Sequence, residues 1–178
     1  GAGILNLDIS NLNQLDWMFN GTKNFNLPIG SWDTSHVTSM SAMFYSAYAF
    51  NQYIGDWNTS QVTSMSSMFS RAYAFNQDIS TKTVTREDGS TYTAWDTSKV
   101  RTMSGMFKST REFDQPIGNW DTSSVTTVNT MFRGAQAFNQ YIGDWDTSNV
   151  TKMWGAFQNT YLFNQDISEW DTSKVNDM

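Results

Sequence analysis

The 178-residue sequence predicts an α/β repeat solenoid of about seven coils, and the regular spacing of tryptophan is the first reason. Neighbouring tryptophans stand 25 residues apart, except that 38 residues separate Trp57 from Trp95, so one repeat carries a 13-residue insertion. The tryptophans of this series are Trp32, Trp57, Trp95, Trp120, Trp145 and Trp170. The second reason is that a unit of this length cannot bury its own apolar face and needs stacked neighbours.

Alignment of the repeats places apolar residues in constant columns, which we interpret as the shared core. The repeats start near residues 7, 32, 57, 95, 120, 145 and 170, where residues 7–12 are a divergent first copy and residues 170–178 a truncated last copy. The 3–4 residue steps between Met43, Phe44, Ala47 and Phe50 predict a short helical turn. The segments FNQYIGDW and DTSHVTSM have no helical spacing and predict short strands. Residues 1–178 therefore form a single domain, and we expect it to be a fragment of a longer chain.

Composition and charge argue against several classes of function. The formal charge is −6 and the pI about 4.5, which disfavours nucleic acid as a partner because phosphate contacts require clustered Lys and Arg. The chain has no cysteine and one histidine, and it contains none of the common catalytic motifs. No apolar run reaches 18 residues, so we expect no membrane insertion. The prediction is a protein that is not an enzyme and has no cofactor.

The consensus V-T-S-M-S-x-M-F-x-x-A-x-x-F-N-Q-x-I-G-x-W-D-T-S, which recurs across the chain, resembles a known bacterial repeat. It is similar to the 26-residue bacterial surface protein repeat, a BspA-like leucine-rich repeat found in mycoplasma surface lipoproteins and in Gram-positive surface proteins. The resemblance implies a leucine-rich-repeat-like fold, an extracellular or cell-surface location, and a role in adhesion or protein binding. The first copy and the insertion depart from the pattern.

Two polar columns need an explanation beside the apolar ones. One contains Asn26, Asn51, Asn76, Asn139 and Asn164, with Asp114 as the exception, and we interpret it as a ladder that satisfies backbone groups. The other contains Asp33, Asp96, Asp121, Asp146 and Asp171, with Asn58 between the first two. Either these carboxylates accept backbone N–H bonds in Asp-Thr-Ser turns, or they bind calcium between coils. A column of threonines that begins at Thr34 raises ice binding as a minor alternative.

Positions that vary between repeats are the candidates for binding. Tyr48, Tyr73 and Tyr161 share a column with Arg111 and Gln136. Exposed Tyr and Trp are common in binding hot spots, so we take these tyrosines as tentative ligand-binding residues. Two tryptophans also stand outside the Trp column. We expect Trp17 to cap the core, whereas Trp154, which replaces serine, fits either ligand binding or local packing.

The insertion STKTVTREDGSTYTA predicts a β-hairpin at about residues 81–93. Threonines flank Asp88-Gly89, a favoured two-residue hairpin turn. The hairpin is either a tolerated excursion or a ligand contact, and in the second case Arg86 and Tyr92 are its tentative binding residues.

These observations lead to one main functional hypothesis and one alternative. The main hypothesis is a non-enzymatic extracellular recognition module that binds a protein or glycan on a host, a neighbouring cell or the matrix. The alternative is a structural spacer of a larger surface assembly. Because the last copy stops at Met178, we expect a bare apolar edge at the C-terminal end of the core, covered by a cap, by another domain or by self-association with a second molecule.

Overall fold

A computed structural model describes residues 2–178. Its regular elements are a short helix α1 (Ala2–Leu5) and two strands, β1 (Lys82–Thr85) and β2 (Thr91–Ala94). The rest of the described chain consists of turns and extended segments that recur every 25 residues, or every 38 across the insertion. The short strands predicted for each repeat are reduced there to single bridged residues. Successive repeats lie side by side, and isolated parallel bridges join one residue of each repeat to the next. The bridged residues are Gln14, Ser39, Ser64, Thr102, Thr127, Lys152 and Asp177.

The segment predicted as a helical turn is instead a run of overlapping turns. Ala42, Phe44 and Ser46 donate their N–H groups to carbonyls of the next repeat at 2.8–2.9 Å. The intervening N–H groups donate to carbonyls three residues earlier in the same repeat. A helix directs all its N–H groups along its own axis, so it could not make these bonds between repeats. Overlapping turns and a helix place apolar residues at the same three-to-four-residue steps, which is why the spacing predicted a helix.

Two residues in each of these turn segments adopt the left-handed backbone conformation, with φ between 53° and 72°. The first column contains Trp17, Ala42, Ser67, Gly105, Thr130 and Gly155. The second column, four residues later, contains Gly21, Ser46, Arg71, Ser109, Gly134 and Asn159. This conformation is unfavourable for residues other than glycine, and most of all for β-branched ones. Stacking of the repeats therefore holds eight non-glycine residues in a costly backbone conformation.

Aromatic ladders fill the interior. Phe44 stacks on Phe50 of its own repeat at 3.9 Å between ring centroids and on Phe69 of the next repeat at 5.6 Å. Trp120 stacks on Trp145 at 6.3 Å, and its indole N–H donates to the Ile79 carbonyl at 2.9 Å. The equivalent N–H of Trp57, Trp95, Trp145 and Trp170 makes the same kind of bond. That of Trp32 is buried without a partner among the described residues.

The two ends of the stack differ from its middle. In the last repeat, core-column residues that are buried elsewhere are partly exposed, among them Phe163 and Trp170. Trp17 was expected to cap the core, and this expectation was wrong, because its side chain is 58% exposed and contacts the Tyr45 ring at 6.1 Å. Trp17 occupies the first left-handed column on the outer side of the turns, which directs it away from the core.

The insertion forms an antiparallel hairpin in which Thr85 pairs with Thr91. Its loop is one residue longer than predicted, because the Arg86 N–H donates to the Ser90 carbonyl and leaves residues 87–89 in the loop. Gly89 supplies the left-handed residue that such a three-residue loop needs, with φ of 81°. The hairpin packs back on the stack rather than projecting freely. Lys82 forms a 3.0 Å salt bridge with Asp56, and Val84 packs against the core.

Candidate ligand-binding edge

The Asp column forms turns within each repeat. One carboxylate oxygen of each Asp accepts the backbone N–H of the serine two residues later, at 3.0 Å for Asp33 and 2.9 Å for Asp146. Bonds to these serines lower the pKa of Asp33, Asp146 and Asp171, since they stabilise the charged form. Asn58 accepts the same bond from Ser60 without a charge. Over residues 2–178, no group of three or more acidic or histidine side chains is arranged to hold a metal ion.

The Asn column joins neighbouring repeats. The Asn139 side-chain oxygen accepts the backbone N–H of Asn164 at 3.0 Å and a Gln165 side-chain N–H at 3.1 Å. Asp114 accepts the equivalent bonds from Asn139 and Gln140, so a carboxylate serves as well as an amide here. The Thr34 column is also internal, because from Thr34 to Thr147 its hydroxyls are buried and donate to carbonyls of the next repeat. These columns are therefore occupied in holding the stack together.

The outer turns, in contrast, carry a concentration of positive charge. We define the turn edge as residues 17–24, 42–49, 67–74, 105–112, 130–137 and 155–162. It holds five basic residues and one acidic residue, whereas the rest of the chain holds six basic and sixteen acidic residues. The basic residues of the turn edge are Lys23, Arg71, Lys108, Arg111 and Arg133. A chain that is acidic overall thus has one cationic edge.

The electrostatic contrast between this edge and the rest of the surface also appears in the tyrosine pKa values. The pKa of Tyr73 is lowered, chiefly by the neighbouring Arg71 guanidinium and further by the charge of Arg111. The pKa of Tyr141, which lies outside the edge, is raised, first by its hydrogen bond to Asp144 and then by burial and nearby carboxylates. A cationic side chain beside Tyr73 and a carboxylate acceptor beside Tyr141 account for the opposite signs.

Tyr48 and Tyr73, which the sequence placed in one column, form the centre of a stack on this edge. Their rings lie parallel, with centroids 4.6 Å apart. The Arg111 guanidinium lies over the Tyr73 ring at 4.1 Å, and the Lys23 ammonium lies 5.9 Å from the Tyr48 centroid. Both distances are within the range of cation–π attraction. The stack therefore occupies faces of both tyrosine rings and leaves their edges to solvent.

Beyond Arg111 the stack is interrupted by a groove. The column continues with Gln136 and then Tyr161, whose side chain is 81% exposed. The groove is lined by Tyr73, Ser109, Arg111, Gly134, Gln136, Asn159 and Tyr161. In the part of the chain that the structure describes, neither Arg111 nor Tyr161 has a side-chain hydrogen bond or a salt bridge, and Tyr161 stacks on no other ring.

The remaining candidate residues lie elsewhere. Trp154 is 47% exposed and lies 5.8 Å from Arg133, in a column separate from the tyrosine stack. Arg86 and Tyr92 contact each other within the hairpin, with the guanidinium 4.3 Å from the ring centroid. The Tyr92 hydroxyl in turn donates to the Asp56 carbonyl. The hairpin pair thus helps to hold the insertion against the stack, and the structure does not bring it together with Tyr48, Tyr73 or Tyr161.

The sequence comparison gives the family. A family model described as "Mycoplasma protein of unknown function, DUF285" matches residues 2–91 and again residues 82–178. The chain belongs to this family. No curated protein and no solved structure is significantly similar to it. As a member of the DUF285 family the chain is a bacterial repeat protein. In residues 2–178, no helix has the length and apolarity to cross a bilayer.

The basic residues of the turn edge could not be recognised from the variable columns of the sequence. Arg71 stands in one column and Lys108 and Arg133 share another, so no single variable column shows the concentration of positive charge. A count of charges over the whole turn segment of each repeat, rather than over single columns, would have found the cationic edge.

Proposed function

We propose that this DUF285 chain is a non-enzymatic recognition module at the bacterial cell surface, built as a BspA-like leucine-rich-repeat solenoid. Its ligand is a glycan or protein of a host, a neighbouring cell or the matrix, and the turn edge is the binding surface. The parallel stacking of 25-residue repeats and the mycoplasma family support the class of fold and the location.

The turn edge is the observation that carries this proposal. Tyr and Arg are enriched among the residues that dominate binding energy at protein surfaces, and the edge brings Tyr48, Tyr73 and Arg111 together in one stack. Constant columns elsewhere are occupied by contacts between repeats, so selection for stability alone explains them. Stability does not explain five cations beside the half-buried Tyr48 and Tyr73 and the exposed Tyr161 on one edge of an acidic chain.

A catalytic role has no comparable support. The ring of His36, the chain's one histidine, interacts with the Ile9 carbonyl at 2.9 Å. The Asp carboxylates repeat along the stack and accept backbone hydrogen bonds, which is a structural arrangement. We therefore propose binding without chemistry.

The test is a combined glycan and protein array probed with the wild-type chain and with the triple variant Tyr48→Gln, Tyr73→Gln and Tyr161→Gln. Gln already stands in this column at position 136, so the repeat accepts it. The control variant is Lys99→Gln with Lys174→Asn, which changes exposed residues of another column to residues found there. We expect ligands that the wild type and control retain and the triple variant loses. If all three proteins give the same empty array, the structural-spacer alternative replaces this proposal.

A further inference from the structure

We propose that the turn edge binds an anionic polysaccharide, with one carboxylated sugar in the groove between Arg111 and Tyr161. The sugar carboxylate pairs with the Arg111 guanidinium, and the sugar ring lies against Tyr161. This inference rests on the proposed recognition function and specifies the chemical class of its ligand.

Arg111 is prepared to bind a carboxylate. Its guanidinium stacks on Tyr73 at 4.1 Å, which restricts the plane of the group while its N–H donors stay at the perimeter. Planar guanidinium groups bind carboxylates through two parallel hydrogen bonds. The one salt bridge among the described residues joins Lys82 to Asp56, so no acidic side chain competes for Arg111 there. Fixing the side chain beforehand also reduces the entropy lost on binding.

The groove beside Arg111 exists because Gln136 interrupts the stack. Tyr48 and Tyr73 show that an aromatic ring in this column stacks at 4.6 Å on its neighbour. With Gln at position 136, Arg111 and Tyr161 are separated by two repeat steps, and a ring-sized ligand has room between them. The groove floor contains Ser109, Gly134 and Asn159, all from the second left-handed column. Hydroxyl and amide groups face the ligand there, and Gly134 adds no side chain.

The lining favours a sugar over other anionic partners. It contains no aliphatic residue, so an apolar peptide side chain would find no pocket, whereas sugar hydroxyls find Ser, Asn and Gln. Nucleic acid needs more phosphate contacts than five dispersed cations provide on a chain with net charge −6. Lys23, Arg71, Lys108 and Arg133 lie along the same edge, so a polyanionic chain can continue beyond the groove. The acidic remainder of the surface repels it elsewhere.

The test is calorimetric titration with short oligogalacturonates, with neutral dextran oligomers and polyglutamate as comparison ligands. Three variants change the groove to residues already found in its column: Arg111→Gln, Gln136→Tyr and Tyr161→Gln. Lys99→Gln is the control, because it removes a positive charge from another column. Thermal melting of each variant verifies that it folds.

We expect wild type and Lys99→Gln to bind oligogalacturonate, with affinity that falls as salt is raised. Arg111→Gln should weaken binding by about tenfold or more, because it removes the charged hydrogen bonds to the sugar carboxylate. Gln136→Tyr should weaken it similarly by filling the groove. Equal binding of dextran, equal loss in Lys99→Gln, or tighter binding of polyglutamate would each overturn the inference. If oligogalacturonate does not bind but array ligands depend on the tyrosines, the recognition function stands and the anionic-sugar assignment fails.

Discussion

The left-handed columns of the turn edge predict opposite effects of two substitutions on the stability of the fold. Thr130 is a β-branched residue at φ 53°, in a column where Gly105 and Gly155 adopt 63° and 59°. Its side chain makes no hydrogen bond within the described residues. Thr130→Gly should therefore stabilise the fold, although glycine usually destabilises, and Gly155→Ala should destabilise it.

The magnitude follows from two opposing terms. A non-glycine residue in the left-handed region costs about 1–2 kcal/mol. Glycine loses about 0.5–1 kcal/mol more conformational entropy on folding than alanine. The net gain for Thr130→Gly is about 0.5–1 kcal/mol, which corresponds to a rise in Tm of about 1–4 °C for a chain of this size. Gly155→Ala should lower Tm by a similar amount. An added Cβ there meets its nearest atom at 3.5 Å, so steric overlap does not contribute.

Circular dichroism melts and urea titrations of the wild type and both variants measure these changes. Thr126→Gly is the control, since Thr126 is absent from the left-handed columns and should show the usual destabilisation by glycine. An equal loss of stability in Thr130→Gly and Thr126→Gly would mean that the turn imposes no strain on Thr130, and the left-handed conformation would then carry no cost there.

Three further predictions concern the ladders. Asn139→Ala should destabilise the fold by about 1–3 kcal/mol in urea titrations, because it leaves the Asn164 N–H without its acceptor. Asn139→Asp keeps an acceptor oxygen and should cost less than half as much, so equal losses would contradict the acceptor role. Trp120→Phe should lower the unfolding free energy by about 1 kcal/mol or more beyond the loss in Trp32→Phe, since the Trp120 N–H bonds to a buried carbonyl and the Trp32 N–H has no described partner. Equal unfolding free energies of the two variants would contradict this. Because hydrogen bonds lower the folded-state pKa of Asp33 and Asp146 below 3.8, their contribution to stability is present above that pH and is lost as pH falls through the folded pKa. Tm should therefore fall below about pH 4, and less so in Asp146→Asn, so an identical pH profile of that variant would exclude this residue's contribution.

Residue types in the core columns could be recognised from the sequence because burial restricts each position in the same way in every repeat. The Phe, Trp and Ile columns carry that restriction, and they are buried in the middle repeats. Backbone conformation was less accessible. Apolar steps of three to four residues occur both in a helix and in overlapping turns, and Thr130 or Trp17 gives no sign of a left-handed conformation until the repeats are stacked.

The candidate site was only partly accessible from the sequence. Tyr48, Tyr73 and Tyr161 were recognised because they are aromatic residues in a column that varies between repeats. Arg111 was noted only as an interruption of that column, since its stacking on Tyr73 depends on two repeats that are separated by the insertion. The groove at Gln136 depends on a missing ring, and only the spacing of the neighbouring side chains reveals it.

The most direct test of the central claim, that the turn edge is the binding surface, is chemical-shift mapping by NMR. Backbone amide shifts of the labelled chain would be followed as a ligand selected by the arrays, or an oligogalacturonate, is added. We expect the largest shifts in residues 105–112, 130–137 and 155–162. Shifts concentrated in the hairpin, at residues 82–94, or in the acidic turns that contain Asp33 and Asp146 would contradict it.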